Sequence, residues 1–407
     1  MLNYAEKIFA LRESWSKTHD SRPAPRFLPP VFPAAWFLMF AARLPSFNAF
    51  EQLRDSQCLQ RWLGISKLPS ADEMAIVSES TDPATLRDCL GHILDRLRRN
   101  KVLEPRHGLM LAAIDGHETH SSYKRCCPGC LERKITIGGR EVIQYYHRYT
   151  VLQLIGKKFY FLLDLEPVLP GEDEVASAMR LLTRVVKKHP RCCDVISCDA
   201  IYLRPSMINL TLSLGKHLIA VLKDNQPELL AEARTLLPEE SPECFDRPKT
   251  PGKSVRQVEL RQSDGFTTDT IRTPLRIVHS HETGTRHERI ADKNVDSPID
   301  SHWYWATTMP ATLTGARTVF DFGHDRWRIE NEGFNELVSR WHSRHVFHHH
   351  SNSMLVLWLS LFAAHAVFHC FLRNLQPALR AAHTVIYFAV LISANLHTAR
   401  WWPPHPR

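Results

Sequence analysis

The sequence predicts a mixed α/β protein, and two changes of pattern along its 407 residues carry that expectation. Residues 1–105 follow helical periodicity. From residue 106, apolar runs of strand length alternate with amphipathic stretches, and residues 239–310 turn to alternating β-branched and aromatic positions.

In the first region, the Pro-rich stretch Arg22–Pro33 separates a short helix from PAAWFLMFAARL. FNAFEQLRDSQCLQRWLG ends at Gly64, a natural helix C-cap. Ser70, with Glu73 three residues on, makes a capping box. ATLRDCLGHILDRLRRNKV then sets Leu86, Leu90, Ile93 and Leu97 on one face, with basic residues in the last turn. Residues 1–105 therefore form a helical module, suited either to binding DNA ends or to packing.

Residues 106–238 begin with GLMLAAID, a strand ending in Asp115. VIQYYHRYTVLQLIG and KFYFLLDLEPV are two more strands, joined as a hairpin through Gly156, Lys157 and Lys158. EVASAMRLLTRVVKKH is a helix closed by Pro190, DVISCD a strand ending in Asp199, RPSMINLTLSLG a helix and HLIAVLKD a fifth strand. This order makes a mixed sheet with two acids at strand ends. Residues 239–310, containing VRQVELRQ, PLRIVHSH and HWYWATT, form a β-rich insertion. In residues 311–375, HDRWRIENEGFNELVSRWH is a helix with Trp327, Phe334, Val338 and Trp341 on its apolar side. Residues 376–407 are a tail.

The chain carries 51 Lys+Arg against 43 Asp+Glu, a net charge of +8, which favours a polyanionic partner. With 44% hydrophobic residues it can build a core, which excludes wholesale disorder. Six of the cysteines fall in two tight groups, Cys126, Cys127, Cys130 and Cys192, Cys193, Cys198. No secretory leader precedes them, so a reducing, cytoplasmic compartment is expected rather than a disulfide scaffold. Met354–Leu372 has no formal charge and is long enough to span a membrane. It reads equally as a fully buried helix, and no membrane partner is expected.

Two-metal phosphodiester chemistry needs carboxylates converging on one point, typically acids at neighbouring strand ends plus one from a helix across them. Asp115 and Asp199 meet the strand condition and Glu330 the helix condition. Glu332 lies about 200° around the helix from Glu330 and cannot share its pocket. It falls beside Arg328 and Glu336 on a side that reads as solvated. Glu118, Asp164, Glu166, Glu172 and Asp173 read as solvated or supporting, and His117 as close enough to touch substrate.

IDGHETHSS, a Cys-containing loop, QYYHRY, CDAIY, VLKDNQPEL and RWRIENEGFN together resemble bacterial insertion-sequence transposases of the DDE type. The resemblance spans roughly residues 60–375 and implies a ribonuclease-H-like catalytic core. It also implies Asp115, Asp199 and Glu330 as ligands of two Mg (or Mn) ions, DNA ends and target DNA as partners, and a homodimer on DNA in the nucleoid. Many relatives place a Tyr three residues before the Arg corresponding to Arg326, and a Lys seven after the Glu. Here those positions hold Gly323 and Leu337. Phosphate contact is then expected from Arg326 with Arg328 or Arg340, and from Lys223 and Asn225 of KDNQPEL. An enzyme-derived DNA-binding protein that no longer cleaves is the alternative.

Cys127-Pro-Gly-Cys130 has the knuckle of a zinc half-site, with Cys126, His120 and His147 available to complete it. Cys192, Cys193 and Cys198 read as small core residues. The run from His342 to His350 reads as polar surface or a phosphate contact, because consecutive histidines point in different directions. Trp303, Tyr304 and Trp305 alternate along a strand, so one face is open either to core packing or to stacking on an unpaired base.

Overall fold

A computed structural model describes residues 1–19, 22, 25–248, 255–290 and 293–398. Residues 249–254 and 291–292 of the insertion and 399–407 of the tail lie outside the described residues. The chain is mixed α/β, built on one ten-stranded mixed sheet.

The helices α1 (Leu2–Phe9), α2 (Leu11–Trp15), α3 (Val31–Ala41), α4 (Phe47–Glu51), α5 (Gln57–Leu63), α6 (Ala71–Ser80) and α7 (Pro83–Arg99) make up the first region. The starts of α4, α5, α6 and α7 are set by side-chain caps. Ser46, Ser56, Ser70 and Asp82 accept from the backbone N–H groups of Ala49, Leu59, Glu73 and Ala84. The Ser70–Glu73 capping box is reciprocal, and Gly64 closes α5 in the left-handed conformation.

Next come β1 (Leu111–Ser122), β2 (Leu131–Ile137), β3 (Arg140–Ile155), β4 (Tyr160–Pro167), α8 (Glu174–Lys188), β5 (Val195–Cys198), α9 (Pro205–Ser213), β6 (His217–Val221) and α10 (Pro227–Leu236). β2 and α10 were not foreseen. β2 is a largely exposed hairpin strand on the outer half of β3, whose charged Glu132, Arg133 and Lys134 break its apolar alternation. β3 runs antiparallel to both β1 and β4, while β5 and β6 run parallel to β1, giving the order β4-β3-β1-β5-β6.

The insertion supplies β7 (Glu243–Pro248), β8 (Val255–Phe266), β9 (Leu275–Ile290) and β10 (Lys293–Thr307), each antiparallel to the next. It is continuous with the core sheet, because Trp305–Thr307 at the end of β10 pair with Ile219–Val221 of β6. Trp305 is buried, whereas Tyr304 stacks on His279 at 4.3 Å.

Finally α11 (Ala316–Asp325) leads through a π-helical turn (Ile329–Phe334) into α12 (Asn335–Arg340), α13 (Ser351–Arg373), α14 (Pro377–Ala382) and α15 (Val385–Thr398). The expected single helix is thus broken into three pieces. The π turn admits one extra residue and shifts the phase of the apolar side. Ile329, Phe334, Leu337 and Trp341 are buried, and Trp327 and Val338 only half-buried.

Among the described residues α13 is the one helix long and apolar enough to cross a membrane, and 83% of its most apolar window is buried. It packs against α3, α6, α7 and β4. α3 is buried along its whole length, so the first region and the C-terminal apolar helix share one core. Each fully buried Leu or Phe in such an interface contributes on the order of 2 kcal/mol.

Candidate active site and metal centre

β1 and β5 pair in parallel over Leu111–Ala113 and Val195–Ser197. Two residues beyond that pairing stand Asp115, still within β1, and Asp199, the residue that follows β5. Extending the register sets them at matching positions, and the alternation of extended backbone places both on one face of the sheet. Asp115 does not end its strand, as the sequence suggested. β1 continues to Ser122 along β3, while β5 stops at Cys198, so Asp115 sits at the step where β1 loses its parallel neighbour.

The π turn delivers Glu330 to the same edge. Arg326 Nη1 donates to Asp115 Oδ2 at 3.0 Å and to Glu330 Oε1 at 2.9 Å. Widened turns of this kind recur at functional sites. Gly333 permits a close fit here, since a Cβ at that position would lie 2.4 Å from Gln153 Oε1. Burial, reinforced by the Glu330 charge and opposed by the Arg326 guanidinium, raises Asp115 to about 7. Burial also pushes Asp199 upward, but the Ala200 N–H, Lys223 and Arg326 outweigh it and hold Asp199 below its ordinary value.

A fourth carboxylate borders the edge and was missed by the sequence reading. Glu174, the first residue of α8, accepts from the Tyr202 hydroxyl at 2.6 Å and from Arg148 at 3.2 Å. A Cβ on Gly116 would lie 2.1 Å from its Oε2, so Glu174 packs directly against the residue after Asp115. Its signal was present only as an acid in a helical first turn.

The cations expected at phosphate are placed differently from one another. Arg326 is buried, 2% exposed, with its guanidinium bound to two acids. Arg328 pairs with Glu332 and donates to the Gly156 carbonyl. Asn225 donates its amide to the Ala200 carbonyl and braces the turn after Asp199. Lys223 lies 3.1 Å from Asp199 with its side chain half exposed, and Arg340 is exposed. His117 stacks on Phe334 and meets Trp358 edge-on.

The acids read as solvated or supporting are engaged in ion pairs, and Glu336, read as solvated, is engaged too. Asp164 and Glu166 are held by Arg87 and Arg184, with Arg180 also on Glu166, tying α7, β4 and α8 together. Glu172 pairs with Arg180, Asp173 caps α8 and pairs with Arg204, and Glu118 pairs with Arg133. Glu336 is half-buried and hydrogen-bonds with Tyr160, Trp341 and His369.

Gly323 and Leu337 have packing reasons. A Cβ on Gly323 would fall 2.2 Å from the Trp305 indole nitrogen, and Leu337 is fully buried. Neither a Tyr nor a Lys fits in their place without rearrangement. Gly323→Ala is expected to lower stability by about 1–3 kcal/mol through this overpacking, read as a lower urea midpoint at unchanged slope.

A second group lies on the loop between β1 and β2. Cys127 and Cys130 Sγ are 3.8 Å apart. His147 Nε2 is 3.4 Å from the first and 3.2 Å from the second, and His349 Nε2 is 3.5 Å from Cys130. The four ligand atoms all lie within 4.8 Å of one another, a grouping compatible with a metal ion. A tetrahedral zinc with Zn–S ~2.3 Å and Zn–N ~2.05 Å needs S–S separations of about 3.8 Å and S–N of about 3.5 Å. The Cys130 N–H closes the knuckle on the Cys127 carbonyl at 3.0 Å. Burial pushes Cys130 up to about 11 and His147 down to about 4, which leaves His147 neutral and able to ligate.

The membership corrects the sequence reading. Cys126 is exposed with its thiol toward the Cys127 carbonyl, and His120 touches His349 edge-on without joining. His349, read as polar surface or a phosphate contact, is the fourth member of the group. It sits just ahead of α13, so the group joins the β1–β2 loop, β3 and the approach to α13. Cys192, Cys193 and Cys198 are buried as expected.

No known protein-family pattern matches the chain, and comparison with curated proteins finds no significant match.

Proposed function

We propose that the protein is a DDE transposase with a ribonuclease-H-like core, which hydrolyses phosphodiester bonds at the ends of its element and joins the freed 3′-OH to target DNA. The observation that carries this reading is the meeting of Asp115, Asp199 and Glu330, from three distant parts of the chain, at one sheet edge. The strand order β4-β3-β1-β5-β6, with β3 alone antiparallel among them, supports the core assignment.

Asp115, Asp199 and Glu330 are the residues that would hold Mg or Mn. When bound, the two ions activate the attacking oxygen and stabilise the leaving one. The donor set fits, since all three ligands are hard oxygens and a cation, Arg326, already bridges two of them. Asp199 presents its carboxylate beside the half-exposed Lys223, which can reach a phosphate at the rim. Glu174 holds Tyr202 and Arg148 against the Asp115 side of the edge. Cys127, Cys130, His147 and His349 take a structural zinc in this reading. Element ends and target DNA are the partners, a homodimer on DNA the working form, and the nucleoid the location.

The second reading, a DNA-binding derivative that no longer cleaves, draws on Gly323 and Leu337, whose packing excludes the outer Tyr and Lys of many relatives. A nicking assay on DNA carrying the element ends separates the two. The transposase reading expects nicks with Mg or Mn and none with EDTA. Binding of those ends with no nicking under any divalent ion would leave only the derivative.

A further inference from the structure

Among the described residues, apart from the acid edge and the Cys–His group, a set of potential metal ligands centred on the buried His365 is used by neither. His365 and His369 are one helical turn apart on α13, so both rings leave the same face, with centroids 4.4 Å apart. Glu336 of α12 stands opposite them. Its Oε1 is 2.7 Å from His369 Nε2, and its Oε2 is 3.7 Å from His365 Nε2. The three ligand atoms lie within 4.8 Å of one another.

The surroundings orient the donors. Trp341 Nε1–H donates to Glu336 Oε1 at 3.2 Å, and the Tyr160 hydroxyl donates to Oε2 at 2.9 Å. Such outer hydrogen bonds fix the direction of a ligating carboxylate. Exposure differs among the three. The His365 side chain is 2% exposed and Glu336 14%, whereas His369 is 21% exposed and lines a surface pocket with Tyr160, Lys158, Phe159 and Arg373. Two donors are therefore closed off, and the third borders an entry path.

We propose that Glu336, His365 and His369 form a second zinc site, independent of the Cys–His group, with its fourth position open to that pocket. Two imidazoles and one carboxylate are a recognised donor set for zinc that retains a water or small anion. Occupancy locks α12, which follows the Glu330 turn, to α13. The inference goes beyond the transposase reading and does not depend on it.

The test uses the full chain carrying Asp115→Asn and Glu330→Gln, which removes carboxylate binding at the acid edge. After zinc loading and dialysis, elemental analysis is expected to give two zinc ions per chain. His369→Ala should leave one, and Cys127→Ser should leave the other. With Co(II) in place of zinc, the ion surviving in Cys127→Ser should absorb without the thiolate charge-transfer band that the ion surviving in His369→Ala retains. A zinc content of the doubly substituted parent chain lacking this second equivalent overturns the proposal, as does a content insensitive to His369→Ala. Should His369→Ala fail to fold by circular dichroism, Glu336→Gln preserves shape and should weaken the second ion at least about tenfold. An unchanged affinity in that variant also sinks it.

Discussion

Asp115→Asn is expected to abolish Mg-dependent nicking, by roughly a thousandfold or more, while leaving binding of DNA ends intact. Asn keeps the shape of the side chain and its contact with the Gly116 N–H but lacks the charge that holds a cation. Asp199→Asn and Glu330→Gln should do the same, whereas Glu332→Gln should not, because Glu332 faces Arg328 on another side of the turn. Equal losses from the 330 and 332 substitutions would mean that the turn itself is being damaged rather than a ligand removed. The same variant carries a second, opposite readout. The folded-state pKa of Asp115 is raised to about 7, chiefly by burial, so the folded chain binds this proton more tightly than the unfolded chain does. The resulting stability is complete below the unfolded value near 4, declines as pH rises, and is gone above about 7. In EDTA at pH 8, Asp115→Asn should therefore melt higher than the wild type, and the gap should close as pH falls towards 4. A metal-free wild type as stable as the variant at pH 8 would argue against a strained carboxylate cluster at this edge.

Which parts of the site were legible in the sequence follows from how local their determinants are. Asp115 and Asp199 could be read because backbone rules place them: a short apolar run, then an acid, twice, in strands whose order implied adjacency. Glu330 could be read because its neighbours Arg326, Trp327 and Phe334 fix a side of the helix. The Ser70–Glu73 box and the Gly64 cap are local by nature, and both appear as expected. The failures share one cause, which is that the deciding partner lies far away in the chain. Glu336 reads as solvated until Tyr160 and His369 are brought against it. Arg326 reads as a free cation until Asp115, more than half the chain away, arrives to bind it. The π turn has no periodic signature, because one added residue merely shifts the apolar phase; Leu337 and Val338 exchange burial as a result. His349 was hidden differently. In a histidine run without regular structure, nothing in the order of residues says which ring turns inward, and only the knuckle at Cys127–Cys130 selects it.

His349→Ala should remove the zinc bound through thiolates and lower the melting temperature of the chain by about 3–5 °C. The figure follows from a loss of roughly 3–4 kcal/mol at about 1.2 °C per kcal/mol for a chain of 407 residues. Structural zinc in small fingers contributes about 10–16 kcal/mol, but this protein has its own extensive core, so only a part of that is at stake here. The effect should nevertheless travel. His349 leads directly into α13, whose Trp358 packs on His117, and His117 stacks at 4.4 Å on Phe334 in the turn that carries Glu330. Loosening the start of α13 should therefore reduce nicking even in chains that remain folded. Cys127→Ser and Cys130→Ser should match His349→Ala in both readouts. Cys126→Ser is the decisive comparison: the residue is exposed and its thiol lies toward the Cys127 carbonyl without joining the four grouped ligand atoms, so zinc content, melting and nicking should all stay at wild-type values. If Cys126→Ser instead costs as much zinc as Cys127→Ser, three thiols share the ion, and His349 is a bystander that happens to lie 3.5 Å from Cys130.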